Sequence, residues 1–185
     1  MPRPAPSTEE VPPPTLQLDP SRRYTVTLDT NCGTIEIQLA AKEAPKIAAD
    51  FAYLVKKGYY NDLTFHRIVP GFVIQGGDPK GNGTGGPSWQ VVEAPPSGFH
   101  YTKGSVAMAK GGTAPAGTAS SQFFIVTGAS GERLPPEYAV VGHVIGSEKA
   151  VEAIAGVPTE SLEGGGEASY PRAAMVIEKA TLSVH

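Results

Sequence analysis

Cysteine is almost absent. Cys32 stands alone in 185 residues, so no internal disulfide can form and no cysteine-rich metal site can be built. Long apolar runs are missing too: no stretch approaches the ~20 residues needed to span a bilayer, and the N-terminus lacks the apolar core of a secretory signal. Charge of one sign is not in excess. A formal net charge of −3 gives no basic field for nucleic-acid phosphates, and no polybasic run suits a membrane surface. The chain is therefore expected to be cytoplasmic, with neither nucleic acid nor membrane among its partners. His66, His100, His143 and His185 are scattered, with no ligand-like spacing to one another or to Cys32, so neither metal nor cofactor is expected. The stretch Gly81-Asn82-Gly83-Thr84-Gly85-Gly86 matches G-x-G-x-x-G by letter. A dinucleotide site would need a helix starting there and an acidic residue ~20 positions later. Pro95-Pro96 leaves no length for that helix, and residues 101–105 hold no carboxylate. A phosphate-loop Lys-Ser/Thr pair and a G-x-S-x-G hydrolase elbow are also missing.

Glycine and proline, at 22 and 18 residues, are plentiful and point to many turns and few long helices. Seven of the prolines fall in residues 1–22 beside Glu9 and Glu10, with almost nothing to bury. That segment is expected to be a disordered, solvated, partly polyproline leader, followed by one folded domain over residues 23–185. From Tyr24 the pattern changes. Val26 and Leu28 alternate with polar residues, as do Ile35, Ile37 and Leu39, and Asn31-Cys32-Gly33 between them reads as a hairpin turn. Pro45 opens a helix whose apolar positions run from Ala44 through Ile47, Ala48, Phe51 and Leu54 to Val55, with Lys56, Lys57 and Gly58 at its end. Further strands are expected at 63–68, 72–75, 105–109, 122–127, 139–145 and 173–184, the last with a bulge, and a second helix at 148–154. Trp89 is expected to pack the Gly-rich loop against the fold. Eight strands and two helices imply a mainly β chain: a closed eight-stranded antiparallel barrel capped by two α-helices.

Two segments carry the chemistry. The first runs Phe65-His66-Arg67-Ile68-Val69-Pro70-Gly71-Phe72-Val73-Ile74-Gln75-Gly76-Gly77-Asp78, and the second is Ser121-Gln122-Phe123-Phe124-Ile125. Period-two alternation puts Phe65, Arg67 and Val69 on one face, and Val73 and Gln75 together on theirs. A concave surface then carries a fixed cation, an amide and the ring of Phe72, with Phe124 arriving from another strand. These segments resemble the cyclophilin family's signature. Gly83-Thr84-Gly85-Gly86, Gly104-Ser105-Val106-Ala107-Met108-Ala109 and Tyr138-Ala139-Val140-Val141-Gly142 extend the resemblance over most of the chain after Tyr24.

The resemblance implies a peptidyl-prolyl cis–trans isomerase that works without cofactor, as a monomer, on proline-containing peptides and on unfolded or folding proteins. Rotation about a peptide bond breaks no covalent bond, and its barrier of ~18–20 kcal/mol comes from amide resonance. In the twisted transition state the prolyl nitrogen regains its lone pair, which a guanidinium can meet with a hydrogen bond that the planar ground state accepts poorly. The family pattern gives that role to Arg67. It has Gln75 hold the substrate backbone, and it forms the proline pocket from Phe72, Val73, Phe124 and Leu134. Ala109, the backbone of Lys110, and Gln122 would line the groove, and His66 joins the substrate-contacting set. Tyr138 falls where the family usually has histidine at the pocket edge. The Lys110 side chain is expected to be a solvated charge in place of the usual asparagine.

Other departures are visible. Glu132-Arg133 stands where many cyclophilins have a tryptophan that contacts cyclosporin, so weak inhibition is expected. The segment between Ala109 and Gln122 is about three residues longer than usual. One rival reading stays open, a non-catalytic module that docks proline peptides in the same groove.

Overall fold

Alternating burial organises the first strand pair. The computed structural model describes residues 10–161 and 166–185. Strand β1 (Tyr24–Thr30) turns Val26 and Leu28 fully inward, and β2 (Gly33–Leu39) does the same with Ile35 and Ile37. In the antiparallel register Val26 faces Ile37 and Leu28 faces Ile35, so four apolar side chains make one patch. Helix α1 (Pro45–Lys56) has Pro45 in its first turn, while Ala44 offers no capping side chain. The cap comes from far along the chain: the Glu93 carboxylate accepts the Ile47 N–H at 2.9 Å, a favourable place for negative charge. Gly58, at φ 69°, takes the left-handed conformation that ends the helix.

Strands β3 (Leu63–Val69) and β4 (Val73–Gly76) follow, then β5 (Val91–Val92), β6 (Ser105–Met108), β7 (Thr118–Ala119) and β8 (Phe123–Val126). The chain continues through α2 (Ala129–Glu132), β9 (Val140–Val144), α3 (Glu148–Ala155), β10 (Thr159–Glu160), β11 (Tyr170–Pro171) and β12 (Val176–Val184). Eight strands close a barrel in the order β1-β12-β3-β4-β8-β6-β9-β2, every neighbour antiparallel. This is the expected barrel, and α1 and α3 are its expected helices. The short α2 and the small sheets β5–β7 and β10–β11 lie outside that expectation.

All eight barrel strands feed one interior cluster. Val26, Ile35, Phe65, Ile74, Val106, Phe123, Val141 and Ile177 represent one strand each. Both helices plug into it, α1 through Ile47, Phe51 and Leu54 and α3 through Val151 and Ile154. Phe51 meets Phe123 edge to face at 5.3 Å, and Tyr60 meets the same ring at 5.4 Å. Each such fully buried side chain contributes about 1.5–3 kcal/mol of transfer free energy. Among the described residues no helix is long and apolar enough to cross a membrane.

Two findings differ from the sequence reading. Phe65 does not share a face with Arg67 and Val69. The register between β3 and β4 shifts at a bulge, Phe65 opposite Gly76 but Arg67 opposite Gln75, with His66 as the extra residue. Phe65 thereby points into the core while Arg67 points out, because a bulge changes which parity faces inward. The leader also differs. Residues 1–9 lie outside the described residues, but the described part, from Glu10 on, is not a solvated tail. Val11, Leu16 and Leu18 pack against the interior cluster. Trp89 Nε1 donates to the Val11 carbonyl at 2.7 Å, and the Tyr53 hydroxyl to the Pro12 carbonyl at 3.1 Å. The physical reason is the Leu16-Gln17-Leu18 alternation, which gives this stretch an apolar edge to bury. Trp89 therefore holds the strap as well as its own loop.

Candidate active site

The outer wall of the barrel carries a second apolar cluster. On β8 the parity is strict: Phe123 and Ile125 enter the interior, while Phe124 and Val126 join Val73, Ala107 and Tyr101 outside. Phe72, Phe99, Ala109, Leu134 and Tyr138 pack around these as half-buried neighbours. Strand register fixes the layout. Arg67, Gln75, Phe124 and Ala107 stand opposite one another across β3, β4, β8 and β6, and Val69, Val73 and Val126 form the next row. At ~4.8 Å per strand the first row spans about 14 Å, from a cation through an amide to an aromatic pocket.

Turn chemistry sets Phe72. Its N–H closes onto the Val69 carbonyl at 3.0 Å and Gly71 sits at φ 71°, a turn that needs glycine at its third position. The Arg67 guanidinium lies 5.7 Å from the Phe72 ring centroid, and its Nη2 donates to Glu167 Oε2 at 2.7 Å. Gln75 Nε2 donates to Gln122 Oε1 at 3.0 Å, and Gln122 Nε2 donates to the carbonyls of Gly83 and Gly85 at 3.1 and 2.8 Å. The two glutamines tie the row to the Gly-rich loop.

Tyr138 meets Phe124 edge to face at 5.3 Å. Its backbone is clamped by Tyr101, whose hydroxyl donates to the Tyr138 carbonyl at 2.6 Å and accepts from the Tyr138 N–H at 3.0 Å. Burial pushes the Tyr101 phenol up to about 12, so it stays protonated and able to donate. Lys110 is not the solvated charge expected from the sequence. Its side chain is 4% exposed and pairs with Glu137 at 3.3 Å. It also donates to the Ala114 carbonyl at 3.1 Å and lies 5.4 Å from the Tyr138 ring centroid. The long segment after Ala109 folds back and covers it. His66, at the bulge, is 6% exposed, and it is not among the residues lining the polar end of the groove. That end has a volume of about 350 Å³ and is lined by Gln75, the Gly83–Pro87 stretch, Ala109, Lys110 and Gln122.

A guanidinium at the rim of an apolar pocket, with amides beside it and no nucleophile in the row, suits recognition of a ring-bearing peptide group. The matching family is defined over nearly the same span: the model for cyclophilin type peptidyl-prolyl cis-trans isomerases covers residues 25–182.

The chain belongs to the cyclophilin family.

Over 100 residues it is 43% identical to a peptidyl-prolyl cis-trans isomerase of Helicobacter pylori, covering 54% of this chain and 60% of that one. A spliceosome-associated protein CWC27 homologue of Xenopus laevis is 42% identical over 134 residues, 69% of this chain and 27% of that protein. The chain thus spans less than two thirds of the length of these curated relatives. Among solved structures, a cyclophilin type isomerase of Cryptosporidium parvum, determined in the presence of the dipeptide Ala-Pro, matches with a TM-score of 0.75. The two are 29% identical, over 86% of this chain and 98% of that chain.

Several residues that build this cyclophilin's groove escaped the sequence reading. Asp78 is buried, and its carboxylate accepts backbone N–H groups from Lys80, Asn82 and Gly83, shaping the Gly-rich loop. Burial works to raise its carboxyl, but the N–H donors of Lys80, Asn82, Gly83 and Gly85 together outweigh that and hold it below its ordinary value. Gly85 abuts Asp78 Oδ1 so closely that no Cβ fits. An aspartate entering a Pro-Lys-Gly-Asn-Gly run was the available signal. Ser121, fully buried, donates to the Gly77 carbonyl at 2.8 Å and binds the loop from the other side. Glu167, 100 residues from Arg67, had no local signal at all.

Proposed function

We propose that this cyclophilin accelerates cis–trans rotation about Xaa-Pro bonds in peptides and folding proteins, acting as a cytoplasmic monomer without a cofactor. The observation that carries this reading is the row Arg67–Gln75–Phe124 bordering an apolar pocket on the outer barrel wall. Phe72, Val73, Phe124, Leu134 and Tyr138 would receive the proline ring, while Gln75 and Gln122 would hold the flanking backbone. Arg67 would donate to the prolyl nitrogen as it pyramidalises, an interaction stronger in the transition state than in the ground state. The two-part organisation is likewise a proposal: residues 23–185 supply the isomerase unit, and residues 10–22 serve as a strap along α1.

Exchange NMR on a short Xaa-Pro peptide tests the function. Uncatalysed isomerisation takes ~10–100 s, so catalysed exchange is plainly visible. Arg67→Ala is expected to lower the rate by about 10²–10³, the loss typical of one transition-state donor. Peptide binding by the folded wild type with no faster exchange would replace the enzyme reading with that of a proline-docking module.

A further inference from the structure

Strand β3 outruns its barrel neighbour. β12 pairs with it only at Leu63 and Thr64, so the backbone beyond needs another partner. The segment ahead of β12 supplies one: the Phe65 N–H donates to the Met175 carbonyl at 2.9 Å and the Ile68 N–H to the Ser169 carbonyl at 2.7 Å. The second bond, one residue past Arg67, lays the β10–β11 hairpin beside the site. That hairpin is braced from within. Thr159 and Glu160 pair with Pro171 and Tyr170. Thr159 Oγ1 donates to the Ala168 carbonyl at 2.8 Å and Ser161 Oγ to the Gly166 carbonyl at 3.0 Å. Glu167 stands between those two held carbonyls, with its carboxylate 2.7 Å from the guanidinium.

An ion pair with side-chain exposures of 32% and 50% adds little to stability. Its value here lies in where it holds the cation. Arginine ends in a planar fork of five N–H donors on a long, rotamer-rich stem. Gln75, opposite Arg67 in the register, turns its Nε2 toward Gln122. Among the described residues, the fork is restrained by the Phe72 ring and the Glu167 carboxylate. The carboxylate occupies one edge and leaves the other donors available to a substrate.

We propose that Glu167 is a positioning residue for Arg67: delivered by the β10–β11 hairpin, its carboxylate fixes the guanidinium for donation to the prolyl nitrogen. The proposal rests on the isomerase reading and acts through Arg67 alone. A group that orients a transition-state donor changes kcat and leaves KM in place.

Exchange NMR at several peptide concentrations, on the full chain, separates the two parameters. Glu167→Gln is expected to lower kcat about three- to fivefold with KM unchanged, the most that a half-exposed pair supports. Glu167→Asp should recover part of the loss, and Glu167→Gln made on top of Arg67→Ala should cost nothing further. ¹⁵N NMR of the Arg67 side chain supplies a reading independent of turnover, with guanidinium rotation faster in Glu167→Gln than in the wild type. Unchanged guanidinium rotation, an unchanged kcat in Glu167→Gln, or an equal loss in the Arg67→Ala background overturns the proposal. An inactive wild type with a tethered guanidinium would instead defeat the isomerase reading, and with it the catalytic part of this one.

Discussion

Asp50 lies on the inner side of α1, fully buried, and neither carboxylate oxygen has a hydrogen-bond partner among the described residues. Burial pushes its carboxyl from the ordinary 3.8 up to about 7. Pro14–Leu18 of the strap, Lys46, Ala49 and Val91 share with it a cavity of about 480 Å³, and the buried Tyr60 phenol feels its charge. A carboxyl whose pKa is raised on folding binds its proton more tightly in the folded state. Its contribution is therefore favourable at low pH and is lost as pH rises from about 4 to about 7. At about 1.4 kcal/mol per pH unit, that interval corresponds to about 4 kcal/mol. Asp50→Asn keeps the shape and removes the titration. We expect the variant to match the wild type at pH 4 and below and to exceed it by about 4 kcal/mol at pH 8, which is ~10 °C in Tm for a chain of this size. Urea unfolding at pH 5, 6.5 and 8 reads this directly through the midpoint at constant m. Parallel pH profiles for the two proteins would show that Asp50 does not carry a buried, strained charge.

Two further outcomes follow from the site. Tyr101→Phe removes the hydroxyl that both donates to and accepts from the Tyr138 backbone. A loss of about 1–3 kcal/mol in urea unfolding is expected, with a raised KM because the pocket edge loosens; unchanged values in both would refute the clamp. Gly85→Ala drives a methyl into Asp78 Oδ1, so the Gly-rich loop should lose its amide protection in hydrogen exchange while the barrel strands keep theirs. Intact protection at Asn82 and Gly83 would show that the carboxylate does not organise the loop.

What could be read from the sequence was whatever repeats locally. The alternation of Val26 and Leu28, the helical spacing after Pro45 and the Pro70-Gly71 turn each state their structure within a few residues. Phe72, Val73 and Phe124 stand in the two motif segments, and the fold gathers them into one apolar cluster. Parity breaks at His66, because a bulge has no compositional mark of its own, and simple alternation therefore puts Phe65 on the wrong face. The burial of Lys110 cannot be read locally, because it depends on how a long loop closes over it. Glu93 capping α1 and Glu167 meeting Arg67 are partnerships across 46 and 100 residues. Only the closed barrel brings such pairs together.

The attachment of the strap also decides what light can see. The chain has a single tryptophan, and its indole N–H is bonded to Val11, away from the proline pocket. Emission from Trp89 therefore reports on the strap. A strap that peels off before the barrel opens would move the emission while far-UV circular dichroism stayed flat. The two probes would then disagree, as for a protein with an intermediate, even with a barrel that unfolds in one step.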